Sequence, residues 1–241
     1  MIPAMVWIFS TVVPTGENVH QFQAAAMIIN FLLSGVAATR HVKAEAVDFD
    51  VWRWLAPAAL TGVVLGVAAS RLPIFTGENA RYLRYTFGAF QLYVVAYNIR
   101  RLRHHSAVRA QPENEMLPAG RGTKAGVGLV MGFAAGLLGI GGGALAVPAM
   151  QILLHMRLRK AIATSTLTIF SVAWLGAIVK NATLGQDGTV VRSLFLAAIL
   201  APSAMAGAYL GGHLTHKLPG RVVRVAFILL MSVAAWKMFA P

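Results

Sequence analysis

Two short stretches of this 241-residue chain carry residue types that could do chemistry. The first is Gly139-Ile140-Gly141-Gly142-Gly143-Ala144. Three consecutive glycines each forfeit about 1 kcal/mol of helix stability relative to alanine, so the backbone is expected to unwind there. A helix resuming at Ala144 would aim its free amides and positive dipole end at the turn, an arrangement that attracts an anion. The second stretch is Ala163-Thr164-Ser165-Thr166, whose three hydroxyls could ligate an oxyanion without a fixed charge. The candidate substrate-binding residues are therefore Gly141, Gly142, Gly143, Ala144, Thr164, Ser165 and Thr166. Gln23 and Asn30 complete the set, and His20 and Gln21 offer further donors.

Each motif has a plainer alternative. The glycines could be a close-packing hinge, and the hydroxyls could bond back to carbonyls of the preceding turn. The anion reading of the glycines is favoured because a packing motif spaces its small residues by four. A dinucleotide-binding turn is excluded, since it needs an acidic residue about 20 positions on, and none occurs between Glu115 and Asp187. With no cysteine, disulfides, zinc–cysteine sites and iron–sulfur clusters are impossible. His104, His105, His213 and His216 have no carboxylate at ligand spacing, and no Ser–His pairing suggests a hydrolase. Neither a metal, a cofactor nor an enzymatic activity is expected.

The elements that must position these residues are helices in a bilayer. Hydrophobic residues make up 57% of the chain, charged ones 12%, and mean hydropathy is +0.66. A soluble domain carries roughly 25% charged residues. Soluble enzyme, disordered tail and secreted disulfide scaffold are excluded together. Six apolar segments are predicted to span, at 21–39, 54–70, 82–99, 161–179, 191–212 and 222–239. Each approaches the roughly 20 residues that about 30 Å of hydrocarbon requires. The stretch 125–155 is too long and is broken at the glycines and at Pro148, so two short helices around an unwound turn are predicted. Gly128, Gly132 and Gly136, Gly62 with Gly66, and Gly207 with Gly211 have the four-residue spacing of helix-packing seams.

The net charge of +13 falls in the gaps between apolar runs. It therefore points to membrane orientation and anionic lipid headgroups rather than to nucleic acid. All eight acidic residues lie in or beside loops, so no carboxylate relay crosses the membrane. If 125–155 turns back at the glycines, one side holds 15 Lys/Arg against 6; a single crossing gives 12 against 9. The positive-inside bias prefers the hairpin.

Residues 55–66, LAPAALTGVVLG, match 200–211, LAPSAMAGAYLG, at seven of twelve positions. Ile2-Pro3-Ala4-Met5 meets Val147-Pro148-Ala149-Met150 at the same offset, and Phe31 falls opposite Phe170 when a loop difference is allowed. The expected organisation is all-α and polytopic: a first transmembrane repeat over 1–99, a basic cytoplasmic linker over 100–124, and a second repeat over 125–241. A hairpin plus three spans is an odd unit, so the repeats would be inverted, with the glycine-broken pair re-entrant. The first repeat lacks a counterpart to 125–145, so its start is expected upstream of Met1.

The string GFAAGLLGIGGGALAVPAM (132–150), followed by AIATSTLTIF (161–170), resembles the second-repeat signature of the TauE/SafE-type sulfite exporter family. AAAMIINF and LAPAALTG resemble its first repeat, although the first repeat lacks the glycine turn and the Thr-Ser pair. The resemblance implies a bacterial inner-membrane carrier of small sulfur-containing anions such as sulfite, thiosulfate or an organosulfonate. A proton or sodium would be its coupling ion. The rival reading is a non-transporting membrane subunit or degenerate paralogue that acts as an assembly partner.

Overall fold

The computed structural model describes residues 19–76, 80–103, 120–139, 143–156, 158–185, 188–217 and 220–239. Among these no strand occurs. The helices are α1 (Val19–Lys43), α2 (Phe49–Ala69), α3 (Ala80–Arg103), α4 (Arg121–Leu138), α5 (Gly143–Leu153), α6 (Leu158–Ala182), α7 (Val190–Lys217) and α8 (Gly220–Phe239). A 3₁₀ turn, Pro73–Phe75, sits between α2 and α3. Four of the described helices are long and apolar enough to cross a membrane: α1, α2, α6 from Lys160, and α7 as far as Gly207. Helices do form where spans were predicted at 82–99 and 222–239, as α3 and α8. Both helices carry basic residues near their ends, Arg81, Arg84, Arg100, Arg101 and Arg103 in α3 and Arg221, Arg224 and Lys237 in α8. Large apolar side chains such as Leu65, Val130, Ile178, Phe195 and Leu229 point outwards and exposed. Such a surface suits lipid and would aggregate in water.

The closest helix pair is α2 with α4. A Cβ added to Gly62 or Gly66 would overlap the carbonyl oxygens of Leu129 or Phe133. A Cβ on Gly128, Gly132 or Gly136 would overlap those of Leu55, Ala59 or Val63. The numbers rise together along both chains, so the two helices run parallel, backbone against backbone. Gly62, Gly66, Gly128, Gly132 and Gly136 therefore form a packing seam, as their spacing predicts, whereas a Cβ on Gly207 would meet nothing within 4 Å, so the seam predicted for Gly207 with Gly211 is not seen at Gly207. At the start of the pair the Arg121 guanidinium lies 5.2 Å over the Trp54 ring.

Helix α4 ends at Leu138 and α5 returns beside it. Val127 and Met131 of α4 share a buried cluster with Ala146, Met150 and Leu154. Thr123, Gly126 and Val130 line one wall of an apolar cleft of about 320 Å³, with Ala149 and Leu153 on the other. Leu153 thus lies level with the first turns of α4, and the pair is an antiparallel hairpin.

Two ends of the bundle can now be distinguished. At the linker end, the turn joining α1 to α2 buries Ala46 and Val47 against Ala163, near the start of α6. Asp48 caps α2 by accepting from the Val51 amide at 3.1 Å, while its own N–H donates to Thr164 Oγ1 at 2.9 Å. The starts of α2, α4 and α6 therefore share this end, which is the arrangement a hairpin at 125–155 requires. At the opposite end, the turn end, lie the start of α1, residues 70–75, Gly139 and the end of α6. Helices α1 and α6 pack antiparallel. His20 meets Lys180, a Cβ on Gly176 would press on Met27, and Phe31 stacks on Phe170 with centroids 5.0 Å apart. Helix α3 lies against α8, α1 against α7, and α2 against α6.

Two outcomes follow from this packing. Gly132→Ala should cost about 1–3 kcal/mol by forcing the seam apart, and thermal unfolding in detergent should fall clearly. Gly126→Ala, where a Cβ meets nothing within 4 Å, should be neutral; equal behaviour of the two variants would contradict the seam. Cysteines replacing Glu45, Gly120 or Lys160 should be labelled from the cytoplasmic side only, and cysteines replacing Ile74 or Thr183 from the opposite side only. Labelling of Lys160→Cys with the second group would restore a single crossing.

Candidate functional site

The glycine run breaks the chain as its composition dictates. Gly139 caps α4 in the left-handed region, φ 69° and ψ 21°, and donates its N–H to the Ala135 carbonyl at 2.9 Å. That conformation is open to glycine and costly for residues with a Cβ. Gly141 and Gly142 lie outside the described residues. Gly143 opens α5 and Ala144 stands in its first turn.

Of the predicted ligands, the structure brings Gln23 to this turn. A Cβ on Gly139 would lie 2.7 Å from Gln23 Cβ. The Gln23 amide nitrogen donates to the Leu137 carbonyl at 3.2 Å, and its oxygen is buried without a partner. A buried acceptor left unmet costs about 1–3 kcal/mol. Asn30 is half-buried farther along α1, where its main-chain carbonyl accepts from Ser34 at 2.6 Å.

The hydroxyl run is arranged differently. Helix α6 is unbroken through it. Ser165 and Thr166 donate back to the Ile162 carbonyl at 2.9 and 2.7 Å, and Thr168 donates to the Thr164 carbonyl at 2.8 Å. Thr164 is buried and accepts from the Asp48 amide at the linker end. Gly139 is set against Gln23, one turn before the Met27 that faces Gly176. From Thr164 to Gly176 the helix climbs about 18 Å at 1.5 Å per residue. The hydroxyls and the α4 cap are therefore not gathered into one site.

What gathers at the turn end is a polar cluster of another composition. Six of the eleven buried polar side chains among the described residues lie there: His20, Gln21, Gln23, Ser70, Lys180 and Ser193. Lys180 is 0% exposed. Its ammonium donates to Ser70 Oγ at 2.7 Å and to His20 Nδ1 at 3.1 Å. Ser70, at the C-cap of α2, passes its own proton to the Val67 carbonyl at 2.7 Å. The other ring nitrogen of His20 lies 2.9 Å from the Phe75 carbonyl, which can only accept. Nε2 therefore carries the hydrogen, leaving Nδ1 as the lone-pair acceptor for Lys180.

A second polar bridge ties the start of α1 to the start of α7. The Gln21 amide donates to the Thr189 carbonyl at 3.1 Å and to the Ser193 hydroxyl, and accepts from the Thr189 amide at 2.8 Å. A Cβ on Gly188 would collide with that carboxamide oxygen, so the contact requires glycine. Lys180 is the residue that sequence reasoning missed, having been counted with the loop charges. The available signal was its place four residues beyond Gly176 and eight beyond Val172, on the buried stripe of α6.

Comparison with known proteins fits this architecture. The sulfite exporter TauE/SafE family model matches residues 1–238. The chain is similar to the probable membrane transporter protein MamO of Magnetospirillum gryphiswaldense, 27% identical over 250 residues. That match covers 92% of this chain and 39% of the relative, so the chain spans about two fifths of MamO's length. It is also similar to two probable membrane transporter proteins of Bacillus subtilis. YunE is 26% identical over 95% of this chain and 86% of its own, and YjnA 27% over 83% and 77%. No solved structure matches. With a family model covering nearly its whole length, and helices that suit a bilayer, the chain belongs to the TauE/SafE sulfite exporter family of membrane proteins.

Proposed function

We propose that this chain carries small sulfur-containing anions, of the sulfite, thiosulfate or organosulfonate type, across a bacterial inner membrane as a secondary transporter. The observation that carries the reading is Lys180, a fully buried ammonium held by His20 and Ser70 at the end where α4 breaks. An ionisable side chain inside a membrane bundle marks a solute or ion path by default. The glycine turn and the N-terminus of α5 would add backbone amides, giving one fixed charge and several neutral donors. Anions are therefore favoured over neutral solutes. The coupling ion belongs to the same proposal as a proton or sodium, and anionic lipids would meet the basic linker end on the cytoplasmic side.

The same reading takes the two halves of the chain as inverted repeats, 1–99 and 125–241, joined by the linker. Phe31 and Phe170, matched by sequence, stack on each other across antiparallel helices. A residue that meets its own counterpart lies on the axis relating two halves. The α1–α7 and α2–α6 contacts are the exchanged pair that such an axis produces. The α4–α5 hairpin would be the re-entrant element.

Sulfite binding to the purified chain tests the site. Lys180→Met should lower affinity tenfold or more, since a hydrogen bond to a charged ligand contributes about 1.5–3 kcal/mol. Lys180→Arg should retain part of the affinity, as its charge remains but its planar head fits the His20–Ser70 cradle poorly. A folded Lys180→Met with native sulfite affinity would remove Lys180 from the site.

A further inference from the structure

Resting on the reading that the basic linker end meets anionic lipid, we infer that the cleft between α4 and α5 seats one anionic glycerophospholipid of the surrounding bilayer. Its acyl chain lies along α4 from Met131 to Thr123, and its headgroup meets Thr123 and Lys124 at the linker end.

The cleft has the dimensions of an acyl chain rather than of a helix. Thr123 and Met131 bound its α4 wall, a separation of about 12 Å at 1.5 Å per residue. One leaflet of a hydrocarbon core about 30 Å thick is about 15 Å deep, so the cleft reaches most of the way to the midplane. Spread over that length, a volume of about 320 Å³ leaves a channel about 6 Å across, whereas a helix with its side chains needs about 10–12 Å. Its floor is Gly126, where an added Cβ would meet nothing within 4 Å. Val130 on one side and Leu153 on the other are 61% and 52% exposed, so the channel opens outwards, where lipid lies.

Charge decides which lipid. The lining is apolar except for Thr123, in the first turn of α4. Lys124 follows it, half-buried, and stands three and seven residues before Val127 and Met131, on the stripe of α4 that lines the cleft. Among the described residues Lys124 has no ion-pair partner. On the far wall, Ala161 is buried in one cluster with Val127 and Leu154, which sets the exposed Lys160 at the same end. No acidic residue lines the cleft. Of the nearby carboxylates, Asp48 caps α2 and Asp50 pairs with Arg53 at 3.0 Å. An apolar channel that ends among basic groups complements a lipid with a negative headgroup, to which each such residue contributes about fivefold in affinity. A chain seated there fills the space between α4 and α5 and braces the hairpin that leads to the glycine turn.

Native mass spectrometry of the full chain provides the test, with the protein released from mixed micelles of phosphatidylglycerol and phosphatidylcholine of identical acyl chains. The unsubstituted chain should retain phosphatidylglycerol at least fivefold over phosphatidylcholine. Gly126→Leu puts a side chain on the cleft floor and should cut retained phosphatidylglycerol tenfold or more, the effect of displacing a few methylenes. Lys124→Gln should lower the preference about fivefold without emptying the cleft. Native phosphatidylglycerol retention by folded Gly126→Leu would overturn the cleft as the seat, while leaving the linker end lipid-facing. An unchanged preference in Lys124→Gln would overturn the headgroup assignment. Equal retention of the two lipids by the unsubstituted chain, a comparison that needs no variant, would overturn the proposal together with the anionic-lipid reading on which it rests. A dimer that Gly126→Leu abolishes would assign the cleft to a second copy and overturn it as well.

Discussion

In hydrocarbon two helices gain nothing by hiding apolar side chains from each other, so a pair must be held by contact itself. The α2–α4 seam meets that constraint with five glycines, each lying against a carbonyl of the opposite helix. Much else follows from how closely these backbones approach. The seam makes α4 parallel to α2, so α4 must end beside the C-cap of α2. Helix α5 then packs back against α4, sharing a buried cluster with Val127 and Met131. Where α4 stops, Gly139 packs on Gln23, and Gln23 stands one turn from the histidine that holds Lys180. The distance between a packing seam and a buried charge is thus a few residues of rigid helix.

The buried ammonium is the most demanding group in the described structure. Groups from three elements reach it: His20 from α1, Ser70 from the end of α2, and Phe75, through the far nitrogen of the histidine ring, from the 3₁₀ turn. Such a network fixes one imidazole tautomer and one ammonium position. It also couples the ends of α1, α2 and α6, so a movement of any one of them changes what the ammonium can touch. The unmet oxygen of Gln23 lies in the same region.

Much of the fold was legible in the sequence because its signals are local. Four-residue glycine spacing announced the seam, three adjacent glycines announced the break, and Gln23 was among the candidate ligands. The site was less legible. Lys180 was grouped with loop charges because the apolar run closes at Val179, whereas α6 continues to Ala182 and turns the lysine inwards. Ser165 and Thr166 offered donors on paper, but their protons go to a carbonyl in their own helix. Thr164 serves the α1–α2 turn, a partner 116 residues away that no spacing reveals. Which helix end meets which is long-range information, and hydroxyl donors are divided between solute and backbone only once the helix is seen to continue.

Counterflow measures transport itself most directly. Proteoliposomes containing the full chain would be loaded with unlabelled sulfite and diluted into a trace of ³⁵S-sulfite. A carrier with one alternating anion site predicts a transient accumulation of label above equilibrium, absent from protein-free liposomes. Label that enters no faster than in protein-free liposomes, with the chain folded and inserted, would contradict the account and leave the membrane subunit as the reading.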